Sequence, residues 1–111
     1  MDANAPIGPT PVNILVIGRD RPILEVIERL INAHEGWHAT ITETEEPAIQ
    51  AITQKKYAIA FVSAGLSAQE EEALRKKLTT IDPNIVVARH YGGGSGLLEN
   101  EILGILKKQQ Q

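Results

Sequence analysis

The feature that most constrains this chain is an alternation between two kinds of apolar segment. Positions 13–17, 58–62 and 85–88 are short, nearly continuous apolar runs, the pattern of strands covered on both faces. Between and after them lie longer stretches in which apolar residues recur at helical spacing. Ile23, Ile27, Leu30 and Ile31 form one such stripe, Leu74 and Leu78 another, and Leu98, Ile102, Ile105 and Leu106 the last. Residues 37–42 add a strand of more alternating character. A strand that is apolar on both sides has to be sandwiched, and helices joining consecutive strands demand parallel pairing through right-handed crossovers. The order βαβαβαβα therefore predicts a three-layer α/β/α, flavodoxin-like sandwich with a small parallel sheet of about four strands.

Local signals set the boundaries. Pro22 suits the first turn of a helix, where a missing N–H costs nothing, and Gly36 marks the end of that helical segment. Pro47 is expected to open a second helix, with Ile49 and Ile52 facing inward and Lys55-Lys56 at its end. Ser67 and Glu70 have the spacing of a capping box, which predicts a third helix from Ala68 to about Thr79. Asp82-Pro83-Asn84 reads as a turn. With Pro6, Pro9 and Pro11 so close together, residues 1–12 are expected to form a flexible arm, leaving 13–108 as one domain. The polar end Lys107-Lys108-Gln109-Gln110-Gln111 is expected to fray.

Composition removes several classes of function. A length of 111 residues with 42% hydrophobic and 23% charged content fits one domain with a true core. A net charge of −3 gives no positive field of the kind a nucleic-acid backbone attracts. No apolar run approaches the roughly 18 to 20 residues that cross a bilayer, and residues 1–11 lack the order of a secretion signal. The absence of cysteine excludes disulfides, thiolate metal sites and thiol catalysis. These points together predict a cytoplasmic protein without nucleic-acid or membrane partners.

The run Ile14-Leu15-Val16-Ile17-Gly18-Arg19-Asp20-Arg21-Pro22, the helix start from Glu46 to Ala51, and the strand ending on Ser63 resemble the CheY-like receiver domains of two-component response regulators. The resemblance covers residues 13 to 90 and implies a sheet order of 2-1-3-4. In that family two adjacent acids after the first strand hold magnesium and an aspartate after the third strand accepts a phosphoryl group. By position the acid pair falls on Gly18 and Arg19, the acceptor on Ser63, and the switch hydroxyl of the fourth strand on Arg89, with Asp20 the one acid left nearby. An arginine in a magnesium shell repels the ion, and a serine hydroxyl with no base beside it is a poor nucleophile. The family's lysine comes from a fifth strand, which the short step from Arg89 into the last helix skips. The resemblance thus implies a degenerate, shortened receiver, a pseudo-receiver: no enzyme, no catalytic residues, no cofactor and no metal, acting through protein contacts.

The segment His90, Tyr91, Gly92, Gly93, Gly94, Ser95 and Gly96 supports an alternative. Glycine-rich backbone after a parallel strand can point amides at an anion, and with Gly18, Arg19, Ser63 and Arg89 it forms a candidate site for a phosphate-bearing ligand. No lysine follows the glycines, so the pattern is not a phosphate loop of a nucleotide hydrolase. His34 and His38 are four apart, but Gly36 between them breaks the helix that chelation would need. Glu43, Glu45, Glu46 and Glu70-Glu71-Glu72, with Arg75-Lys76-Lys77, read as solvated helix starts and i, i+4 pairs. Trp37 and Phe61 read as core. A sheet ending on the fourth strand exposes an edge, which predicts a homodimer through that strand, the last helix or the glycine loop.

Overall fold

A computed structural model describes residues 12–63, 65–89 and 95–109. Its elements are β1 (Val12–Ile17), α1 (Arg21–Asn32), β2 (Trp37–Thr42), α2 (Glu45–Gln54), β3 (Ile59–Val62), α3 (Ala68–Ile81), β4 (Val86–Arg89) and α4 (Ser95–Gln109). The strands form one parallel sheet in the order β2-β1-β3-β4, the CheY-like, flavodoxin-like topology.

Side-chain alternation along β1 creates the layers. Leu15 and Ile17 join Ala60, Val62 and Val87 under α2 and α3, where Ala48, Ile52, Leu74 and Leu78 close the layer. Ile14 and Val16 join Ile59 and Phe61 under α1 and α4, where Leu24, Ile27, Ile31, Leu98 and Ile102 pack. Every residue of β3 is buried, as expected of a strand with a helix layer on each side. The C-terminal ends of all four strands consequently lie along one rim, the place where folds of this type assemble their sites.

Four expectations need correction. Ile23 is 40% exposed, and Leu24 takes its place in the core. Helix α1 starts at Arg21 behind the N-cap Asp20, so its buried stripe is Leu24, Ile27 and Ile31, spaced at 3 and 7 residues, while Ile23 sits on its shoulder. Helix α2 opens at Glu45 rather than at Pro47, because the ring is tolerated anywhere in the first turn, where amides have no intrahelical acceptor. The end expected to fray is helical as far as Gln109, with the two lysines in the last turn, where the helix dipole favours cations, and Gln110 and Gln111 lie outside the described residues. Val12, assigned to the arm, belongs to β1, its amide donating to the Gly36 carbonyl. Residues 1–11, for which a flexible arm was expected, lie outside the described residues.

The shifted stripe is directly testable. Leu24→Ala should cost about 2–5 kcal/mol in urea unfolding, whereas Ile23→Ala should stay within about 1 kcal/mol. Equal losses would return Ile23 to the core.

Candidate functional site

The C-terminal rim carries the positions singled out in the sequence. Gly18 follows β1, is buried, and donates its amide to the Thr42 carbonyl at 3.2 Å. Ser63 follows β3, is 3% exposed, and donates its amide to the Ile17 carbonyl at 2.7 Å. These two bonds lock the ends of three strands together and leave a serine hydroxyl, not a carboxylate, at the end of β3. Asp20 points elsewhere: its Oδ1 accepts the Ile23 amide at 3.2 Å and caps α1. Among the rim positions it is the acid of the set, and it is occupied with holding the helix.

Arg19 and Arg89 are drawn to the same short piece of α3. Arg19 Nη2 donates to Glu70, and Arg89 Nε donates to Glu71 at 2.7 Å while its Nη2 reaches the Leu66 carbonyl at 3.3 Å. Glu71 also accepts from Arg75 at 3.2 Å, so one largely covered carboxylate serves two guanidiniums. The first turn of α3 is fixed by its capping box: Ser67 Oγ accepts the Glu70 amide at 3.1 Å, and Glu70 Oε1 accepts the Ser67 amide at 3.0 Å. Glu70 therefore closes the box with one oxygen and binds Arg19 with the other. The Ser67 amide and the Arg19 guanidinium hold its carboxyl below the ordinary value of 4.5.

Gly65 makes this convergence sterically feasible. It sits at φ +101°, and a Cβ there would lie 2.5 Å from Arg19 Cβ. The loop after β3 thus lies directly on the Arg19 stem, which a side chain at 65 would prevent. Gly65, Glu70, Glu71 and Arg75 were not singled out as site residues. The detectable signal was two arginines at strand ends with two acids in the first turn of the intervening helix. Other acids near the rim are likewise engaged: Glu43 with Arg21 at 2.9 Å and Glu45 with Lys77 at 2.8 Å. Glu45, Glu70 and Glu71 lie in first helical turns and Glu71 pairs with Arg75 at i, i+4, as expected; the long-range pairings of Glu43, Glu45, Glu70 and Glu71 are additional to that reading.

The glycine-rich segment is only partly in view. His90, Tyr91, Gly92, Gly93 and Gly94 lie outside the described residues, and Ser95 and Gly96 open α4. At the opposite rim His34 stacks on Trp37, ring centroids 3.5 Å apart, and approaches Glu99 at 3.6 Å. Trp37 is half-buried against the core, while His38 is exposed on β2, so the two histidines do not converge.

Two measurements follow from these contacts. Glu71→Ala leaves Arg89 and Arg75 without their shared acceptor and should destabilise the fold by about 1.5–3 kcal/mol in urea unfolding; a change below about 0.5 kcal/mol would show the pair to be inert. Because the Glu70 carboxyl titrates below its unfolded value, its contribution is present above about pH 4.5 and fades as the pH falls through the lower, folded value. Stability measured against pH should accordingly fall less steeply on acidification in Glu70→Gln than in the parent chain.

No family model matches the chain, and no curated protein matches it. Solved structures do. A two-component response regulator from Clostridium difficile superposes with a TM-score of 0.75 at 18% identity, over 90% of this chain and 99% of that one. A CheY-like response regulator receiver domain protein from Methanospirillum hungatei JF-1 gives 0.75 at 17% identity, over 91% and 98%. A sensor protein from Polaromonas sp. JS666 gives 0.71 at 16% identity, over 91% and 99%. At these identities the likeness is one of fold, and the fold of this chain is that of CheY-like receiver domains.

Proposed function

We propose that the chain is a receiver-fold signalling or adaptor module that accepts no phosphoryl group on aspartate, performs no catalysis, and acts through protein contacts. The observation that carries this reading is the state of the rim. Where receiver chemistry needs carboxylates to hold magnesium, the chain has Gly18 and an Arg19 tied to Glu70, and Ser63 ends β3. Magnesium demands several oxygen ligands in near-octahedral geometry. A guanidinium beside that position opposes the ion, and a serine hydroxyl lacks the nucleophilicity of a carboxylate. A scaffold retained without that chemistry is left with its surfaces as means of communication. No described helix is long and apolar enough to cross a membrane; we place the module in the cytoplasm, without nucleic-acid or membrane partners.

The alternative, an anion site built on Gly18, Arg19, Ser63, Arg89 and the glycine-rich segment, draws less support. Arg19 and Arg89 already have carboxylate partners, so an incoming phosphate would have to displace Glu70 and Glu71 from two ion pairs.

Incubation with acetyl phosphate and magnesium, followed by intact mass spectrometry, separates the proposal from a working receiver. The expected product is the unmodified chain. A stoichiometric, base-labile phosphoryl adduct would overturn the reading.

A further inference from the structure

Among the described residues, the sheet order leaves the outer sides of β2 and β4 without a strand partner. In a parallel ladder both backbone groups of a residue face the same neighbour, and successive residues face opposite sides. The Val86 amide bonds the Ala58 carbonyl beside β3, so Val86 and Ala88 face inward and Val87 and Arg89 face the open edge. The outward carbonyl of Val87 is taken by a side chain: Arg75 Nη1 donates to it at 2.7 Å. Glu71 anchors Arg75 in that position.

The other edge repeats the arrangement with different residues. The Thr42 carbonyl accepts from Gly18 on the β1 side, so Ala39 and Ile41 face outward along β2. The Ala39 amide donates to Asn32 Oδ1 at 2.8 Å. Asn32 is the last residue of α1 and Arg75 lies within α3. Two helices thus each send one polar side chain to an edge strand, one accepting from an amide and the other donating to a carbonyl.

We propose that Arg75 and Asn32 are edge guards, and that the β4 edge, released from Arg75, is a strand-pairing surface for a second copy of this chain. Self-pairing suits β4 because a two-fold axis at Val87 would set its outward amide and carbonyl opposite the same groups of the other copy, the reciprocal pair of an antiparallel ladder. Arg89 is the one charged residue of β4, and Glu71 neutralises it, so two such edges meet without unpaired like charge. Guarding by a polar side chain is one of the ways sheets avoid uncontrolled strand addition. The proposal stands independently of the signalling reading, since it rests on the ladder and on two side-chain bonds.

Sedimentation equilibrium of the full chain tests it, from about 1 μM to 1 mM. The parent chain, for which the exposed edge alone predicts a homodimer, should instead be monomeric across that range, because Arg75 occupies the Val87 carbonyl. Arg75→Met keeps the apolar stem but removes the donors, and should dimerise at least tenfold more tightly. Arg75→Gln, a milder change that retains a donor of shorter reach, is run beside it so that a folded variant is available whichever tolerates the change. Adding Val87→Pro, which removes an amide facing away from β3 and is therefore compatible with the sheet, should restore the monomer. Folded Arg75 variants that stay monomeric, a parent chain that dimerises as tightly as they do, or a dimer that survives Val87→Pro would each overturn the proposal.

Discussion

The first turn of α3 is the constraint on which the rest of this molecule's rim depends. Adjacent acids Glu70 and Glu71 reach in different directions, one to the residue after β1 and the other to the end of β4. The capping box holds Glu70 by one oxygen, and the other accepts from Arg19. A surface ion pair alone would contribute little. Glu71 differs, being largely covered and shared by Arg75 and Arg89, so its loss leaves two cations without their shared carboxylate. The resulting network spans the strand ends with guanidinium and carboxylate already matched. It leaves no cluster of spare carboxylates beside Ser63 for a hard cation among these contacts.

Much of the fold was legible because it depends on local periodicity. The strand at 37–42 and the Ser67–Glu70 box follow from alternation and spacing, and both occur where expected. Boundaries that depend on competition between neighbours were less so. Ile23 and Leu24 both fit an apolar stripe, and only the docking angle of α1 on the sheet buries the second. Pro47 tolerates any place in the first turn, so it could not fix the start of α2. Helix α4 packs through Leu98, Ile102, Ile105 and Leu106, and its polar tail carries no signal of where it ends.

The rim was half legible for a comparable reason. Gly18, Arg19 and Ser63 are placed by strand ends, which the sequence announces. Their partners are set by long-range contact: Glu70 lies 51 residues from Arg19, and Glu71 lies 18 from Arg89. Helical spacing pairs Glu71 with Arg75 but cannot reveal that the same carboxylate turns toward β4. Nothing in the sequence around Gly65 signals its contact with the Arg19 stem. Sequence thus identified which side chains stand at the strand ends, while geometry identified their partners.

The account's central claim is that this rim has exchanged a cation pocket for a closed set of internal ion pairs. A magnesium titration followed by amide chemical shifts in solution tests it most directly, because the amides of Gly18, Arg19 and Ser63 border the position a bound ion would take. The account predicts that these three signals stay fixed as magnesium is raised. Saturable shifts centred on them would contradict it.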